Sequence, residues 1–192
     1  IFPHNLNEVC DLYNVRLIHI STDCIFSGKK GQYENYDNSD SDDLYGKSKA
    51  LGEIDNTKAL TIRTSTIGHE LSTSHGLLEW FLSQTKECRG YKNAIFSGLT
   101  NIELSRVIIN YIIPDKTITG IYNIGGKAID KFSLLAILNK YYKKNVKIKP
   151  DYNFIINRSL NSSIFYKKTG YNPPDWEKQV EEMYKSNVAR KI

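Results

Sequence analysis

Short apolar runs alternate with segments of helical periodicity along the whole chain, and this alternation restricts the fold more than any other feature. The runs at 16–20, 60–63, 94–96 and 121–124 have the length and composition of strands. Between them, apolar residues recur three and four positions apart, as expected for helices that bury one face. Alternating strands and helices predict an α/β fold built around a mostly parallel sheet.

The same periodicity predicts helices near 6–13, 44–55, 77–88, 102–112, 132–139, 162–168 and 176–185. The strand at 16–20 is expected to be buried, and a polar stretch that reaches Asp43 follows it. Because that stretch is dense in Asn, Asp, Ser and Gly, it predicts a surface loop. A long loop directly after a buried strand is more often functional than idle.

Composition argues against several classes of protein. Lys+Arg 26 against Asp+Glu 21 gives a net charge of +5, but no recognition motif accompanies the basic residues after Lys140. This pattern predicts a solvated surface rather than a nucleic-acid interface. No apolar run approaches the roughly 20 residues that span a bilayer. The three cysteines and four histidines do not cluster, so we expect no metal, no disulfide framework and a cytoplasmic protein.

Tyr45 and Lys49 form the first candidate for chemistry. Residues four apart on a helix lie on one face, about one turn from each other. An ammonium at that distance favours the phenolate, so the phenol can exchange a proton with a substrate oxygen near neutral pH. Of the 13 tyrosines, Tyr45 alone has a lysine at the fourth following position. In a chain rich in both residue types, the pair by itself is a weak signal.

Thr22 strengthens the interpretation because it follows the predicted strand at 16–20. Open α/β sheets bind their ligands at the carboxyl ends of strands, where a hydroxyl could bond to the oxygen that Tyr45 protonates. Taken singly, Thr22 is an ordinary turn residue, Tyr45 a half-buried aromatic residue and Lys49 a solvated lysine. Taken together and in this order, the three favour a catalytic site.

Three segments carry a resemblance to a known family. Residues 19–28 read H-I-S-T-D-C-I-F-S-G, residues 44–53 read L-Y-G-K-S-K-A-L-G-E, and residues 61–65 read T-I-R-T-S. Together they resemble the extended short-chain dehydrogenase/reductases, and among these the dTDP-4-dehydrorhamnose reductase family, with looser similarity through 97–104 and 158–176. The resemblance implies a Rossmann-like, mostly parallel sheet with a small α+β substrate-binding lobe.

The resemblance also implies a division of the chain near Ile67 and a catalytic set. Residues 1–67 would form the C-terminal part of the dinucleotide-binding domain. Residues 68–192 would be mainly the substrate-binding lobe, with segments that return to the first domain. Thr22, Tyr45 and Lys49 fall on the family's catalytic positions. Tyr45 would supply the proton while NADPH or NADH reduces the C4 ketone of a nucleotide sugar, in deoxysugar supply for surface polysaccharide.

The binding residues follow from the same resemblance. The cofactor's nicotinamide and ribose would lie near Tyr45 and Lys49 and near three residues after the strand at 60–63, which are Thr64, Ser65 and Thr66. The sugar would contact Asp23 and Cys24. Arg158 would meet the diphosphate, since a guanidinium can pair with phosphate oxygens through two parallel hydrogen bonds.

Two features depart from the family pattern. None of the 12 glycines forms the G-x-G-x-x-G or G-x-x-G-x-x-G fingerprint, and the first residue is Ile1. That turn lets the backbone approach a pyrophosphate, so we expect the C-terminal portion of a longer reductase, with reduced dinucleotide affinity. Two other functions stay open: a non-catalytic subunit like the regulatory partner of methionine adenosyltransferase, and an epimerase or dehydratase. A homodimer is also left open.

Overall fold

The computed structural model describes residues 1–189, in which the seven predicted helices are present and ten strands replace the four predicted. The helices are α1 (Phe2–Leu12), α2 (Leu44–Leu51), α3 (Leu77–Ser83), α4 (Asn101–Val107), α5 (Lys131–Tyr141), α6 (Ser163–Thr169) and α7 (Trp176–Ala189). The strands are β1 (Ile18–Ile20), β2 (Leu60–Arg63), β3 (Thr66–Ile67), β4 (Glu87–Tyr91), β5 (Ala94–Phe96), β6 (Leu99–Thr100), β7 (Gly120–Asn123), β8 (Ile129–Asp130), β9 (Lys147–Asp151) and β10 (Ile156–Asn157).

A three-stranded parallel sheet in the order β1-β2-β7 positions the site. Ile18 lies opposite Leu60, and Leu60 lies opposite Gly120. Because all three strands run in the same direction, the segments that follow them all leave the sheet on the side of the strands' carboxyl ends, which we call the carboxyl edge. The predicted α/β fold with a mostly parallel sheet is confirmed.

Three smaller sheets complete the structure. The pairs β3-β6 and β4-β9 are parallel, and β5 pairs with β10 in parallel and with β8 in antiparallel orientation. Thus β5–β8 is the one antiparallel strand pair in the described part of the chain. No helix among residues 1–189 is long and apolar enough to cross a membrane.

Apolar side chains form separate clusters around these sheets. One cluster joins the buried faces of α3, α5 and α7 and includes Leu78, Phe81, Leu134, Leu138, Trp176 and Val180. A second lies against β2 and includes Leu60, Ile62, Ile118, Ile124 and Phe165. A third, made of Ile25, Phe26, Tyr33 and Leu160, lies under the loop that follows β1. This third cluster anchors the segment after β1, where the candidate residues begin.

Several sequence-based boundaries are wrong. The strand predicted at 16–20 spans only Ile18–Ile20 and is not buried, since it lies at the edge of its sheet and Ile20 is 39% exposed. The helix predicted over 44–55 ends at Leu51, with Gly52 as its C-cap. The helix predicted over 77–88 ends at Ser83, and the following residues form β4 because β9 pairs with them. The helix predicted over 102–112 begins as α4 and continues as a π-helical turn, Ile108–Ile112.

Candidate active site

The chain turns sharply after β1 into a short 3-10 segment, Asp23–Ile25. Thr22 precedes it, and its Oγ1 accepts a hydrogen bond from the Cys24 amide at 3.1 Å. The Asp23 amide donates to the Thr64 carbonyl at 3.1 Å, which ties the turn to the segment after β2. Thr22 and Asp23 are both buried, so this turn is a fixed part of the carboxyl edge of the sheet.

Helix α2 packs directly against this turn because of a glycine. The N-cap residue Asp43 accepts a hydrogen bond from the Gly46 amide at 2.7 Å. A Cβ atom on Gly46 would lie 2.3 Å from both the Cys24 carbonyl oxygen and the Ser41 Oγ. Side-chain atoms do not fit at such distances, so the close approach of helix and turn requires glycine here. The first turn of α2, which carries Tyr45, is thereby held beside Cys24.

The predicted catalytic residues come from these adjoining elements. The Lys49 Nζ donates to the Ile20 carbonyl at 2.5 Å, which places its ammonium at the end of β1. Tyr45 lies one turn earlier on α2 and is 58% exposed. The Thr22 hydroxyl lies 3.3 Å from the Asp23 carboxylate. Within residues 1–189 the three side chains do not hydrogen-bond to one another, and the Tyr45 hydroxyl has no protein partner.

A cleft of about 340 Å³ opens beside the turn. Its walls include Asp23, Cys24, Ser65 and Arg158, four of the predicted cofactor and substrate residues. Thr22, Tyr45 and Lys49 are not among its lining residues. The aromatic side chains of Trp80, Tyr91 and Phe154, all partly exposed, also line the cleft.

Arg158 joins the cleft to the turn and to the start of α2. Its Nε donates to the Phe26 carbonyl at 2.9 Å, and its Nη1 lies 3.2 Å from the Cys24 Sγ. Its Nη2 is 3.5 Å from the Asp43 carboxylate. The guanidinium is therefore oriented by the protein before any ligand binds, which reduces the entropic cost of using it as a binding group.

The three residues predicted to lie near nicotinamide differ in their burial and in their access to the cleft. Thr64 is buried, and its carbonyl receives the Asp23 amide. Ser65 lines the cleft, and its carbonyl accepts from the Leu99 amide at 2.9 Å. Thr66 is exposed in β3 and is not among the residues lining the cleft. Of these three, Ser65 is the one whose position allows direct contact with a molecule in the cleft.

Burial changes the titration of the groups that line the cleft. It raises the pKa of the Asp23 carboxyl, against the opposing charges of Lys131 and Arg158. It also raises the pKa of the Cys24 thiol, with the Asp23 carboxylate acting in the same direction. Burial lowers the pKa of Lys131, against the attraction of Asp23. Perturbed groups of this kind collect at functional sites.

Sequence reasoning missed Lys131, which lines the cleft. It stands in a lysine-rich chain, far from the Thr22, Tyr45 and Lys49 motifs, so no local pattern could have identified it.

Sequence reasoning also missed a buried ion pair behind the turn. The Arg63 Nη2 and the Glu53 Oε2 are 2.7 Å apart, and the side chains are 6% and 7% exposed. The Ser21 hydroxyl donates to the Glu53 Oε1 at 2.7 Å. This pair fixes Ser21, the residue just before Thr22, from the side away from solvent. Its sequence signal was present in L-G-E and T-I-R of the resembling segments, but nothing there shows that the two charges meet.

Comparison with known proteins shows which proteins the chain resembles in sequence. A family model described as the RmlD substrate binding domain matches residues 1–88, the part that contains Thr22, Tyr45 and Lys49. The dTDP-4-dehydrorhamnose reductase of Aggregatibacter actinomycetemcomitans is 26% identical over 203 residues, which cover 93% of this chain and 69% of that protein. The chain is therefore similar to the dTDP-4-dehydrorhamnose reductases over most of its length. The resemblance carried by 19–28, 44–53 and 61–65 is thereby confirmed.

Solved structures show the same fold. The dTDP-4-dehydrorhamnose reductase of Bacillus anthracis, in complex with NADP, is 21% identical with a TM-score of 0.77, and the match covers 92% of this chain and 67% of that one. The dTDP-glucose 4,6-dehydratase of the same organism, in complex with NAD, is 16% identical with a TM-score of 0.74, covering 98% and 67%. The chain therefore has the expected Rossmann-like α/β architecture.

Proposed function

We propose that this protein carries the catalytic residues for NAD(P)H-dependent reduction of the C4 ketone of a 4-keto-6-deoxy nucleotide sugar, in deoxysugar supply for surface polysaccharide. The observation that carries the proposal is the position of Lys49. Its ammonium is 2.5 Å from the last carbonyl of β1, one helical turn from Tyr45 and beside the turn that begins at Thr22. A phenol, an ammonium and a hydroxyl at the carboxyl ends of parallel strands can supply and stabilise the proton transfer that accompanies reduction of a ketone.

Each of the three side chains has a separate task in this proposal. The exposed Tyr45 hydroxyl, free of protein partners within residues 1–189, donates its proton to the ketone oxygen. The Lys49 ammonium stabilises the phenolate that remains, because opposite charges one turn apart attract each other. The Thr22 hydroxyl orients the same ketone oxygen by hydrogen bonding.

NADPH or NADH would supply the hydride when bound. An ammonium has three donors, and Lys49 uses one on Ile20, so it retains donors for ribose hydroxyls beside Tyr45. Thr64, Ser65 and Thr66 follow β2 at the same sheet edge and would lie on the nicotinamide side. These residues are thus suited to binding the nicotinamide half of the cofactor. The chain has no glycine-rich fingerprint for the pyrophosphate, so we assign it none of that contact.

The nucleotide sugar would occupy the cleft. Asp23 and Cys24 would contact the sugar, and Arg158, which is already oriented, would contact the diphosphate. We keep the division into a catalytic part, 1–67, and a mainly substrate-binding part, 68–192, although β7 of the second part completes the sheet of the first. A cytoplasmic location and a homodimeric assembly also stay predictions, to be tested by cell fractionation and gel filtration.

The decisive test replaces Tyr45 with Phe in the protein expressed from its complete gene. We expect kcat for NADPH oxidation with a dTDP-4-keto-6-deoxy sugar to fall by about 10²- to 10⁴-fold, the usual contribution of a positioned proton donor. The dissociation constant for the nucleotide sugar should stay nearly unchanged, because the ring remains. Stopped-flow absorbance and isothermal titration calorimetry measure the two quantities.

Tyr36→Phe is the matched control, since Tyr36 is also exposed, at 77%, but lies in the loop. It should keep full activity. Unchanged turnover in Tyr45→Phe would exclude the proposed mechanism. If the unaltered protein converts nucleotide sugar without net NADPH consumption, a dehydratase or epimerase is indicated instead. If it only binds a stoichiometric enzyme partner, it is a regulatory subunit.

A further inference from the structure

Lys131 occupies an unusual position for a lysine. It is the first residue of α5, and its side chain extends into the cleft. Its Nζ lies 3.7 Å from the centre of the buried Phe96 ring. Asp23 and Cys24 attract its ammonium, and Lys131 donates no hydrogen bond among residues 1–189. An ammonium held in this way retains its donors for another molecule.

The charges that line the cleft are unbalanced. Among the described residues that line the cleft, three are cations, namely Arg89, Lys131 and Arg158, and one, Asp23, is acidic. Arg158 is already engaged with Phe26, Cys24 and Asp43, as described above. The exposed Arg89 is 3.5 Å from Asp151. Lys131 is therefore the cation of the cleft lining that forms no salt bridge or hydrogen bond among the described residues, and an anionic ligand would compensate its charge.

We propose that Lys131 binds the diphosphate of the nucleotide sugar and, together with Arg158, sets the preference of the cleft for nucleoside diphosphates. This role presupposes the nucleotide-sugar site proposed above. An ammonium binds phosphate oxygens as a compact charge with several donors. The cation–π contact with Phe96 holds the ammonium in place without consuming those donors.

A sugar hydroxyl is the alternative ligand for the same ammonium. Asp23 is close enough to act on Lys131 electrostatically, so the two could together bind a neutral diol. Arg158 and Arg89 have the carboxylates of Asp43 and Asp151 as partners outside the cleft lining. A neutral ligand, however, would add no negative charge to the lining itself, where Asp23 is the one acidic side chain. The unbalanced charge therefore favours the phosphate. If Lys131 binds phosphate, its removal weakens the binding of nucleotides that lack the sugar. If it binds a sugar hydroxyl, their binding stays unchanged.

The test measures the binding of dTDP and UDP, which lack the sugar, to the protein expressed from its complete gene. Lys131→Met keeps the length of the side chain and removes the charge. We expect the dissociation constants of both nucleotides to rise by about ten- to a hundredfold, the loss associated with one charge-assisted hydrogen bond. Lys131→Gln retains a polar end and should give a smaller rise, and circular dichroism checks that both variants fold.

Lys92→Met is the matched control. Lys92 also lies over a phenylalanine, with its Nζ 4.3 Å from the centre of the Phe132 ring, but it does not line the cleft. Its removal should leave nucleotide binding unchanged. An unchanged dTDP affinity in Lys131→Met would overturn the proposal, including the case in which only nucleotide-sugar affinity falls. Lys131-dependent dTDP binding in a protein that never oxidises NADPH would support this role while excluding the reductase.

Discussion

His19 has a buried ring nitrogen, Nε2, without a hydrogen-bond partner among residues 1–189. Burial lowers the pKa of His19, and the charges of Lys49 and His4 lower it further, whereas Glu53 opposes them. The native protein therefore binds this proton less readily than the unfolded chain, whose histidines titrate near pH 6.5. Between the lowered native pKa and about 6.5, the free energy of unfolding should rise with pH, and above that window it should level off.

Replacing His19 with Gln tests whether this residue causes the pH dependence of the unfolding free energy. The variant should show a flatter rise of unfolding free energy with pH in the range just below about pH 6.5, because it lacks the group that protonates on unfolding. Urea denaturation at a series of pH values measures the slope. His75→Gln, at an exposed histidine, should keep the slope of the parent protein. Identical slopes for His19→Gln and the parent would show that His19 is not responsible.

Helix α2 depends on the absence of a side chain at position 46. In most helix interiors, Gly→Ala stabilises a protein by about 1 kcal/mol. At Gly46 the added Cβ would meet the Cys24 carbonyl and the Ser41 Oγ at 2.3 Å. We expect Gly46→Ala to destabilise by about 1–3 kcal/mol, the usual cost of overpacking. Activity should fall as well, because the helix that carries Tyr45 and Lys49 must move from the turn.

The control for Gly46→Ala is Gly52→Ala, at the other end of α2. A Cβ there would come no closer than 3.2 Å to Pro3, a contact that a small shift relieves. Thermal unfolding followed by circular dichroism compares the two variants. If Gly46→Ala is as stable and as active as Gly52→Ala, the close packing of α2 on the turn does not position the site.

At the scale of the whole molecule, the Glu53–Arg63 pair connects parts that are distant in sequence. Glu53 accepts from Ser21, and the Arg63 Nη1 donates to the Asn35 carbonyl at 2.9 Å. The Asn35 side chain donates to the Ile121 carbonyl at 2.9 Å. The network therefore joins β2, β7, the long loop and the residue that follows β1. Removing the charge of one partner of a buried ion pair strongly destabilises the folded protein, because the other charge stays buried without compensation.

Glu53→Gln should accordingly destabilise the protein by about 3 kcal/mol, because Arg63 would remain charged and buried without its counter-ion. Glu87→Gln is the control: the Glu87–Lys149 pair has the same 2.7 Å separation, but its side chains are 53% and 51% exposed. Its loss should cost less than about 1 kcal/mol. Urea denaturation measures both values, and equal effects of the two variants would contradict a special role for the buried pair.

The seven helices, four of the ten strands, the α/β class and the spacing of Tyr45 and Lys49 were determined by the sequence itself, because each depends on residues a few positions apart. Only the tertiary structure decided that Glu87–Tyr91 is a strand, that β1 lies half-exposed at an edge, and that Lys131 reaches the cleft of Asp23. These features arise from contacts between residues far apart in the chain. Local propensity carries no information about such contacts, since packing and burial set them.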